Sequence, residues 1–182
     1  MKFVPADIPG IVIIEPKLFG DSRGFFMESW NKREFEKGGI SASFVQDNHS
    51  RSVQGTLRGL HYQFKQPQGK LIRAISGDIF DVVVDIRKNS GTFGKSFSLI
   101  LSGENRKMLW VPKGFAHGFY VLSETAEVVY KVTDYYAPED EETIMWNDSS
   151  MSIDWPLVDG KSPILSVKDS SGRAFKEAKY FD

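Results

Sequence analysis

The 182-residue sequence contains no cysteine, so disulfide bonds, thiolate metal ligands and a thiol nucleophile are all excluded. It also lacks a long hydrophobic run: the amino-terminal stretch MKFVPADIPGIVIIEP is interrupted by Pro9 and Pro16, and predicts neither a signal peptide nor a membrane span. Neither sign of charge is in excess, since 23 basic and 24 acidic residues leave a net charge of −1. That balance gives no reason to expect nucleic acid or an anionic membrane as a partner. We expect a cytoplasmic protein. Because its net charge is near zero, any phosphate recognition must rely on a local cluster of Arg and Lys.

Short β-strand signals, by contrast, occur along most of the chain. Between positions 40 and 146, runs rich in Val, Ile, Phe and Tyr alternate with turn residues. The runs are ASFVQD, TLRGLHYQ, KLIRAIS, DIFDVVVDIR, KSFSLILS, KMLWVP, HGFYVLS, AEVVYKVTDYY and ETIMWN. Such close spacing is typical of a sandwich or barrel, and no change of composition divides the chain. We predict one all-β domain over residues 1–182, a double-sheet barrel of the cupin-type jelly-roll kind.

Two segments depart from this strand pattern. In NKREFEKGG, Asn31 and Glu34 form a capping-box pattern and two glycines follow, which predicts one short helix. The tail from Trp155 has weak periodicity and contains Pro156 and Pro163, so we expect a loop-rich wrap that ends in a turn of helix at AFKEAK.

The run TLRGLHYQ raises a question of geometry, because it places Arg58 and one of only three histidines, His61, in a strand. Side chains alternate between the two faces of a strand, so strict alternation puts Arg58 and His61 on opposite faces. A bulge at Gly59, or a second face supplied by a dimer partner, would bring both to one site. A lone histidine in a strand is more often structural than catalytic, so the case depends on its neighbours.

Several neighbouring segments carry polar side chains that a core strand does not need. FVQDNHS is too polar for a buried strand and is either a turn or a binding edge, while Lys70 and Arg73 add positive charge. WVPKGFAHGFYV places His117 at the start of a strand, either at a barrel mouth or in a hydrogen-bonded turn. VVYKVTDYY brings together tyrosines that usually serve packing, and the Lys168 and Asp169 pair in LSVKDSS is most often just an exposed turn.

Taken together, these segments resemble one known family. FGDSRGFFMESW, FVQDNHS, LRGLHYQ, QGKLIRAISGDIFDVVVDIRKNSGTFG, LWVPKGFAHGF, YKVTDYY and LSVKD are similar, in this order, to the dTDP-4-dehydrorhamnose 3,5-epimerase family, from about position 3 to about position 170. The resemblance implies a cupin-type jelly roll, a homodimer that exchanges amino-terminal strands, and epimerisation of a dTDP-linked 4-keto sugar with no metal and no cofactor.

The resemblance also implies roles for individual residues. His61 is expected to be the base and Tyr130 the acid, with Asp169 paired to His61 and Lys70 near the carbonyl oxygen of the sugar. The residues expected to bind the nucleotide sugar are Arg23, Glu28, Gln46, Asp47, Asn48, Arg58, His117, Tyr136, Glu141 and Lys168. Among these, Tyr136 is expected to stack on the thymine ring.

Elementary chemistry explains why such a site needs these residue types. A ketone at C4 acidifies the hydrogens on C3 and C5, because loss of either leaves an enolate, and a histidine can act as the base near neutral pH. A carboxylate on the far ring nitrogen fixes the tautomer, and a lysine stabilises the enolate. Inversion then requires a proton from the opposite face of the sugar, a task that suits a neutral tyrosine. Arginine pairs with the diphosphate through its planar fork.

Three alternatives remain open at this stage. A jelly roll with His49, His61 and His117 could be a metal-dependent cupin, although the spacing contains no close His-x-His pair. A sugar-binding module without catalysis would need the same stacking and hydrogen bonding but no base. Within the family, an enzyme that inverts only C3 or only C5 can keep the same His and Tyr, because room for the sugar ring to turn also decides the outcome.

Overall fold

The computed structural model describes all 182 residues, and β-strands dominate it. The strands are β1 (Lys2–Pro5), β2 (Val12–Glu15), β3 (Leu18–Asp21), β4 (Gly24–Met27), β5 (Gln46–Val53), β6 (Leu57–Gln63), β7 (Lys70–Ser76), β8 (Asp78–Asp85), β9 (Ser96–Ser102), β10 (Met108–Val111), β11 (Phe115–Val121), β12 (Thr125–Val132) and β13 (Glu141–Thr143). The helices are α1 (Lys32–Lys37) and α2 (Val167–Ser170), with 3-10 turns at Pro138–Asp140, Ser149–Met151, Val158–Gly160 and Phe175–Glu177. None of these helices is long and apolar enough to cross a membrane.

Two antiparallel sheets pack face to face and form the jelly roll. A six-stranded sheet has the order β1-β2-β10-β7-β12-β5, and a five-stranded sheet has the order β13-β6-β11-β8-β9. The core between them includes Ile72 and Leu109 from the first sheet and Val83 and Phe119 from the second. The predicted all-β jelly roll is confirmed, since sheets with one apolar face must bury it against each other.

A third, small sheet stands apart from the barrel. It is the hairpin of β3 and β4, which pair only with each other. The hairpin exposes large apolar side chains, with Phe19, Phe25 and Phe26 each more than half exposed. An isolated two-stranded hairpin is only marginally stable in water. The exposed apolar side chains of this hairpin are left largely uncovered by the rest of the chain.

The predicted helix is present as α1. The side chain of Asn31 accepts hydrogen bonds from the backbone N–H groups of Arg33 and Glu34, which caps the amino terminus as the sequence indicated. At the other end, Gly39 has a φ of 84°, so the helix stops where a residue without Cβ is available. Phe35 is the buried residue that anchors this helix to the protein.

Strand assignments from sequence are correct for most of the barrel, and three runs need correction. β12 ends at Val132, so the TDYY end of AEVVYKVTDYY lies outside it, and β13 ends at Thr143, within ETIMWN. ASFVQD is not a strand over its full length, because β5 begins at Gln46 and continues through the polar residues to Val53. The strand lies at the edge of the six-stranded sheet and pairs only with β12. An edge strand with alternating exposure accommodates polar residues that a central strand cannot, so FVQDNHS forms a strand edge and not a turn. Its binding role stays a prediction.

The carboxy-terminal tail covers the outer face of the five-stranded sheet. Phe175 joins a buried cluster with Leu60 and Tyr62, and Phe181 packs beside it. Tyr62 Oη donates a hydrogen bond to the carbonyl of Lys179 at 2.8 Å, which fixes the end of the chain. The tail is therefore the second layer that buries this sheet, and its predicted turn of helix is the 3-10 turn at Phe175–Glu177.

Candidate active site

A cavity of about 340 Å³ opens between the two sheets, and most of the predicted site residues line it. Of the fourteen residues proposed from the sequence, eleven are in its wall: Gln46, Asn48, Arg58, His61, Lys70, His117, Tyr130, Tyr136, Glu141, Lys168 and Asp169. They come from both sheets and from the loops at the mouth. The fold thus gathers residues spread over more than 120 positions into one concave, strongly polar space.

A β-bulge in β6 allows Arg58 and His61 to face the same cavity. His61 pairs with His117 of β11, but Arg58 pairs with Phe119, so three steps along β6 match two along β11. Gly59, inside the bulge, has a φ of 137°, and an added Cβ would lie 2.5 Å from Gly118 Cα. Only glycine fits there, and strict alternation is therefore wrong at this point.

His61 forms a hydrogen-bonded dyad with Asp169. The ring Nε2 of His61 lies 2.6 Å from Asp169 Oδ1, although the two residues are 108 positions apart. Asp169 is 3 % exposed, so LSVKDSS is not the exposed charged turn that is most common for such a sequence. It sits instead in the short helix α2, which sequence analysis missed.

Hydrogen bonds hold the Asp169 carboxylate in place from three directions. Besides His61, the Gly59 N–H donates to Oδ1 at 3.1 Å and the Ser166 hydroxyl donates to Oδ2 at 2.5 Å. Burial raises the pKa of Asp169, but the bonds from His61 and Ser166 outweigh burial and lower that pKa to about 2. The carboxylate therefore stays charged and can fix the histidine tautomer and stabilise the imidazolium.

The second ring nitrogen of His61 faces the cavity mouth. Its Nδ1 lies 3.9 Å from Glu141 Oε1, while Glu141 Oε2 accepts hydrogen bonds from Tyr136 Oη at 2.9 Å and from Lys168 Nζ at 2.7 Å. Burial lowers the pKa of His61, and the hydrogen bond to Asp169 partly offsets this effect. The imidazole is thus neutral at neutral pH. Its Nε2 is hydrogen-bonded to Asp169, and its Nδ1 is available to take a proton.

Tyr130 and Lys70 face the dyad from the opposite sheet. Tyr130 is on β12 and Lys70 on β7, whereas His61 is on β6 of the five-stranded sheet. Burial raises the pKa of Tyr130, so its hydroxyl keeps a proton that it can donate. Burial lowers the pKa of Lys70 to about 8, and its Nζ lies 3.5 Å from the His61 carbonyl oxygen. A base and an acid on opposite walls is the arrangement that inversion of a carbon centre requires.

His117 belongs to a second buried pair in the cavity wall. Its Nε2 lies 2.9 Å from Asp81 Oδ2, and Asp81 is fully buried. His117 is thus a strand residue held by a carboxylate and not a turn histidine. Nearby, Arg58 Nε donates to Ser52 Oγ at 3.0 Å, which aims the guanidinium into the cavity.

Three residues predicted from the sequence lie outside the cavity. Asp47 follows Gln46 on β5, so alternation turns it to the outer face, where it pairs with Lys131 at 2.9 Å. Arg23 and Glu28 lie on or next to the exposed hairpin of β3 and β4, and the Arg23 side chain is 88 % exposed. Their binding roles stay predictions for this chain.

The cavity also contains residues that sequence analysis did not select. They are Ser50, Gln68, Phe119, Val128 and Ser166. A period of two along β5 from Gln46 and Asn48 points to Ser50, and the capping position three residues before Asp169 points to Ser166. Nothing in the sequence marks Gln68, because it reaches the site through a loop.

Gln63, another residue that sequence reasoning passed over, supports the site from behind. Its side-chain amide donates to the carbonyls of Gln66 and Tyr135, and its oxygen accepts from the Ala137 N–H. Gln63 is 4 % exposed, so these bonds replace water fully. The loop that carries Tyr136 is thereby tied to the strand that carries His61.

The three histidines do not converge. His49 lies on the outer side of the edge strand, where its Nε2 lies 2.8 Å from Glu127, and His61 and His117 each use one nitrogen to contact an aspartate. No group of three or more His, Asp or Glu side chains is arranged to hold a metal ion. The geometry therefore gives no support to the metal-dependent alternative.

A jelly-roll cavity that holds a His-Asp dyad opposite a protonated tyrosine, with a buried lysine beside the dyad, fits the class of isomerases that move a proton on a carbon next to a carbonyl group. The chain belongs to the dTDP-4-dehydrorhamnose 3,5-epimerase family, whose profile matches residues 5–177. It is 56 % identical over 182 residues to dTDP-4-dehydrorhamnose 3,5-epimerase of Pseudomonas aeruginosa, covering 100 % of this chain and 99 % of that one.

Solved structures agree with this assignment. The dTDP-6-deoxy-D-glucose-3,5-epimerase of Legionella pneumophila, in complex with dTDP-4-keto-L-rhamnose, superposes with a TM-score of 0.94 at 51 % identity, covering 98 % of this chain and 94 % of that one. A 3'-monoepimerase of Streptomyces bikiniensis in complex with dTDP-quinovose superposes with a TM-score of 0.86 at 31 % identity, covering 93 % and 86 %. The fold is thus shared by enzymes that invert different numbers of centres.

Proposed function

We propose that this protein epimerises dTDP-4-dehydro-6-deoxy-D-glucose at C3 and C5 to give dTDP-4-dehydro-L-rhamnose, a step in the formation of dTDP-L-rhamnose. The observation that carries the proposal is the placement of the His61-Asp169 dyad and Tyr130 on opposite walls of one cavity. High identity to double epimerases over the whole chain supports the same activity.

In the mechanism that this geometry supports, proton transfer alone inverts each centre. His61 Nδ1 takes the hydrogen from the carbon next to the C4 ketone, and Asp169 stabilises the imidazolium that forms. The ammonium of Lys70 stabilises the enolate oxygen, an effect strengthened by its burial. Tyr130 then donates its proton from the other face, which sets the new configuration. The step needs no redox cofactor, because no electrons leave the sugar, and in this mechanism Lys70 supplies the positive charge that the enolate oxygen requires.

The nucleotide part of the substrate is assigned to the outer half of the cavity. Arg58 supplies a guanidinium for the diphosphate, with Lys168 as a second positive charge at the mouth. Tyr136 is half exposed beside them and offers an aromatic face to thymine. Gln46, Asn48 and His117 provide the remaining polar contacts in this proposal.

We further infer a homodimer in which each hairpin completes the site of the other subunit. Arg23 and Glu28 lie next to exposed Phe25 and Phe26, outside the cavity of their own chain. A second copy would cover the apolar hairpin and bring Arg23 to its diphosphate site. Light scattering at micromolar concentration tests the dimer, and a monomer there would contradict it. The cytoplasmic location stays a prediction, testable by cell fractionation.

Proton NMR in D2O with dTDP-4-keto-6-deoxyglucose tests the activity directly. Deuterium at both C3 and C5, with the coupling pattern of the L-lyxo sugar, is the expected result. Label at only one carbon would assign the chain to the monoepimerase alternative, for which the Streptomyces bikiniensis likeness is the specific observation. No label at all would favour a sugar-binding module. In Tyr130→Phe, unchanged rates of both inversions would remove tyrosine from the mechanism.

A further inference from the structure

Double inversion places a demand on His61 that single inversion does not. Each inversion transfers one hydrogen from the sugar to His61 and one proton from Tyr130 to the sugar. After the first inversion the imidazole is therefore an imidazolium and the phenol a phenolate. His61 cannot abstract a second hydrogen until it loses the first, so a route must lead this proton away while the sugar is still bound.

Glu141 lies where such a route has to begin. Asp169 occupies Nε2 of His61 at 2.6 Å, which leaves Nδ1 to take the hydrogen, and Glu141 Oε1 lies 3.9 Å from that atom. The strand β13 fixes this position, because it pairs with β6 and places Glu141 opposite Gln63. The Glu141 side chain is 12 % exposed and the His61 side chain 18 %, so both lie in the cavity wall with limited contact to solvent.

The other oxygen of Glu141 connects to the mouth. Oε2 accepts from Lys168 Nζ at 2.7 Å, and the Lys168 side chain is 47 % exposed. Tyr136 Oη, on a half-exposed residue, donates to the same oxygen at 2.9 Å. One carboxylate thus links Nδ1 of His61 to groups that contact water.

We propose that Glu141 accepts the abstracted proton from His61 Nδ1 and passes it to water at the cavity mouth, so that one histidine serves both inversions in a single binding event. This inference rests on the proposed function. Because 3.9 Å is longer than a hydrogen bond, one water between the two side chains takes the proton from Nδ1 as it gives a proton to Glu141. Glu141 then releases that proton to water at the cavity mouth. Tyr130 recovers a proton from water after each inversion. The two inversions together therefore release two protons to solvent and take up two, and no electrons are transferred.

Asp169 is unsuited to the same task. It contacts the opposite ring nitrogen, is 3 % exposed, and its oxygens are already held by Ser166 and Gly59. Glu141, by contrast, is connected to solvent through Lys168. Burial raises the pKa of Glu141, but the hydrogen bond from Lys168 and the charge of His61 outweigh burial and lower that pKa, so Glu141 releases a proton readily. A group that gains the proton and releases it again is what a relay requires.

The test compares Glu141→Gln with Glu142→Gln by NMR of the sugars formed in D2O. Glutamine keeps the size of Glu141 and an acceptor oxygen for Lys168 and Tyr136, but it loses the negative charge and cannot carry the proton. We expect the ratio of doubly to singly inverted product to fall on the order of tenfold in Glu141→Gln, less than the loss of a general base itself. Glu142 is the matched control, since it is the next residue on β13 and pairs with Arg173 and Lys179 away from the cavity.

A second measurement follows the carbon that has not been inverted. With substrate deuterated at both C3 and C5, in ordinary water, wild-type enzyme should form doubly inverted product without deuterium, because Tyr130 supplies each new proton. Glu141→Gln should instead release singly inverted product that keeps deuterium at the carbon not yet inverted. Glu141→Asp restores a carboxylate and should recover part of the double inversion, which separates the relay from a fold defect. A higher KM with an unchanged product ratio in Glu141→Gln would show that Glu141 only binds substrate and would overturn the relay. Wild-type enzyme without any label exchange would overturn the proposed function instead.

Discussion

Replacing Gly59 with alanine is the most informative single perturbation of this site. Gly59 lies in the bulge that lets the side chains of Arg58 and His61 face the same cavity. Its φ is 137°, and a Cβ added there would lie 2.5 Å from Gly118 Cα. The substitution therefore imposes two separate costs, one from the backbone conformation and one from crowding. Two other glycines allow these costs to be measured one at a time.

The magnitudes follow from the local geometry. At Gly39 the φ is 84° but no atom lies within 4 Å of an added Cβ, so Gly39→Ala has only the conformational cost, about 1–3 kcal/mol. At Gly118 an added Cβ would lie 2.7 Å from the Arg58 carbonyl oxygen, so Gly118→Ala has mainly the crowding cost, again about 1–3 kcal/mol. Gly59→Ala should lose about 2–6 kcal/mol of the roughly 5–15 kcal/mol that stabilises a domain.

Urea unfolding of the three variants, followed by circular dichroism, measures these losses. A smaller entropy of the unfolded chain favours each alanine variant by a similar amount, so it cancels in the comparison. Epimerase activity should fall most in Gly59→Ala, because shifting β6 against β11 separates Arg58 from His61. A Gly59→Ala protein as stable as Gly39→Ala, with full activity, would refute the requirement for glycine in the bulge.

Three further predictions concern the groups that support the site and the fold. Asp169→Asn should lower kcat by roughly 10³–10⁴-fold, as loss of a tautomer-fixing carboxylate does elsewhere. In the same variant the acidic limb of the pH profile of kcat/KM should move to lower pH, because the hydrogen bond that raises the pKa of His61 is weakened. Gln63→Glu removes the donors that hold the Tyr136 loop, so KM should rise about tenfold with a smaller change in kcat, as steady-state kinetics can show. For Asp85, burial raises the pKa, but hydrogen bonds led by Arg87 lower it to about 2, below the unfolded value of 3.8. It therefore adds about 2 kcal/mol of stability above pH 4 that disappears as the pH falls toward 2, and Asp85→Asn should be destabilised in urea at pH 7 but match wild type near pH 2.

Local signals in the sequence were sufficient for most of the barrel strands and for the helix α1. Strand-forming runs bounded by turn residues predict most of the barrel, since period-two patterns and turn chemistry act within a few residues. Asn31 marks the start of α1 for the same reason. Sequence motifs shared with the family indicated the residues of the cavity, and eleven of fourteen line it.

Contacts between segments that are distant in the sequence could not be predicted from local signals. Asp169 meets His61 across 108 positions because the tail crosses the end of β6, and no local pattern fixes that contact. The bulge at Gly59 was one of two solutions open to the sequence, and pairing with β11 selected it.

The sequence by itself thus determined which chemical groups are present and which segments form strands, because those properties depend on residue type and near neighbours. Only the tertiary structure decided which groups meet: the acid across from the base, Glu141 beside the free nitrogen of His61, and Arg23 outside the cavity of its own chain. The physical reason is that sheet register and packing are set by burial over the whole domain, and a shift of one residue exchanges the two faces of a strand.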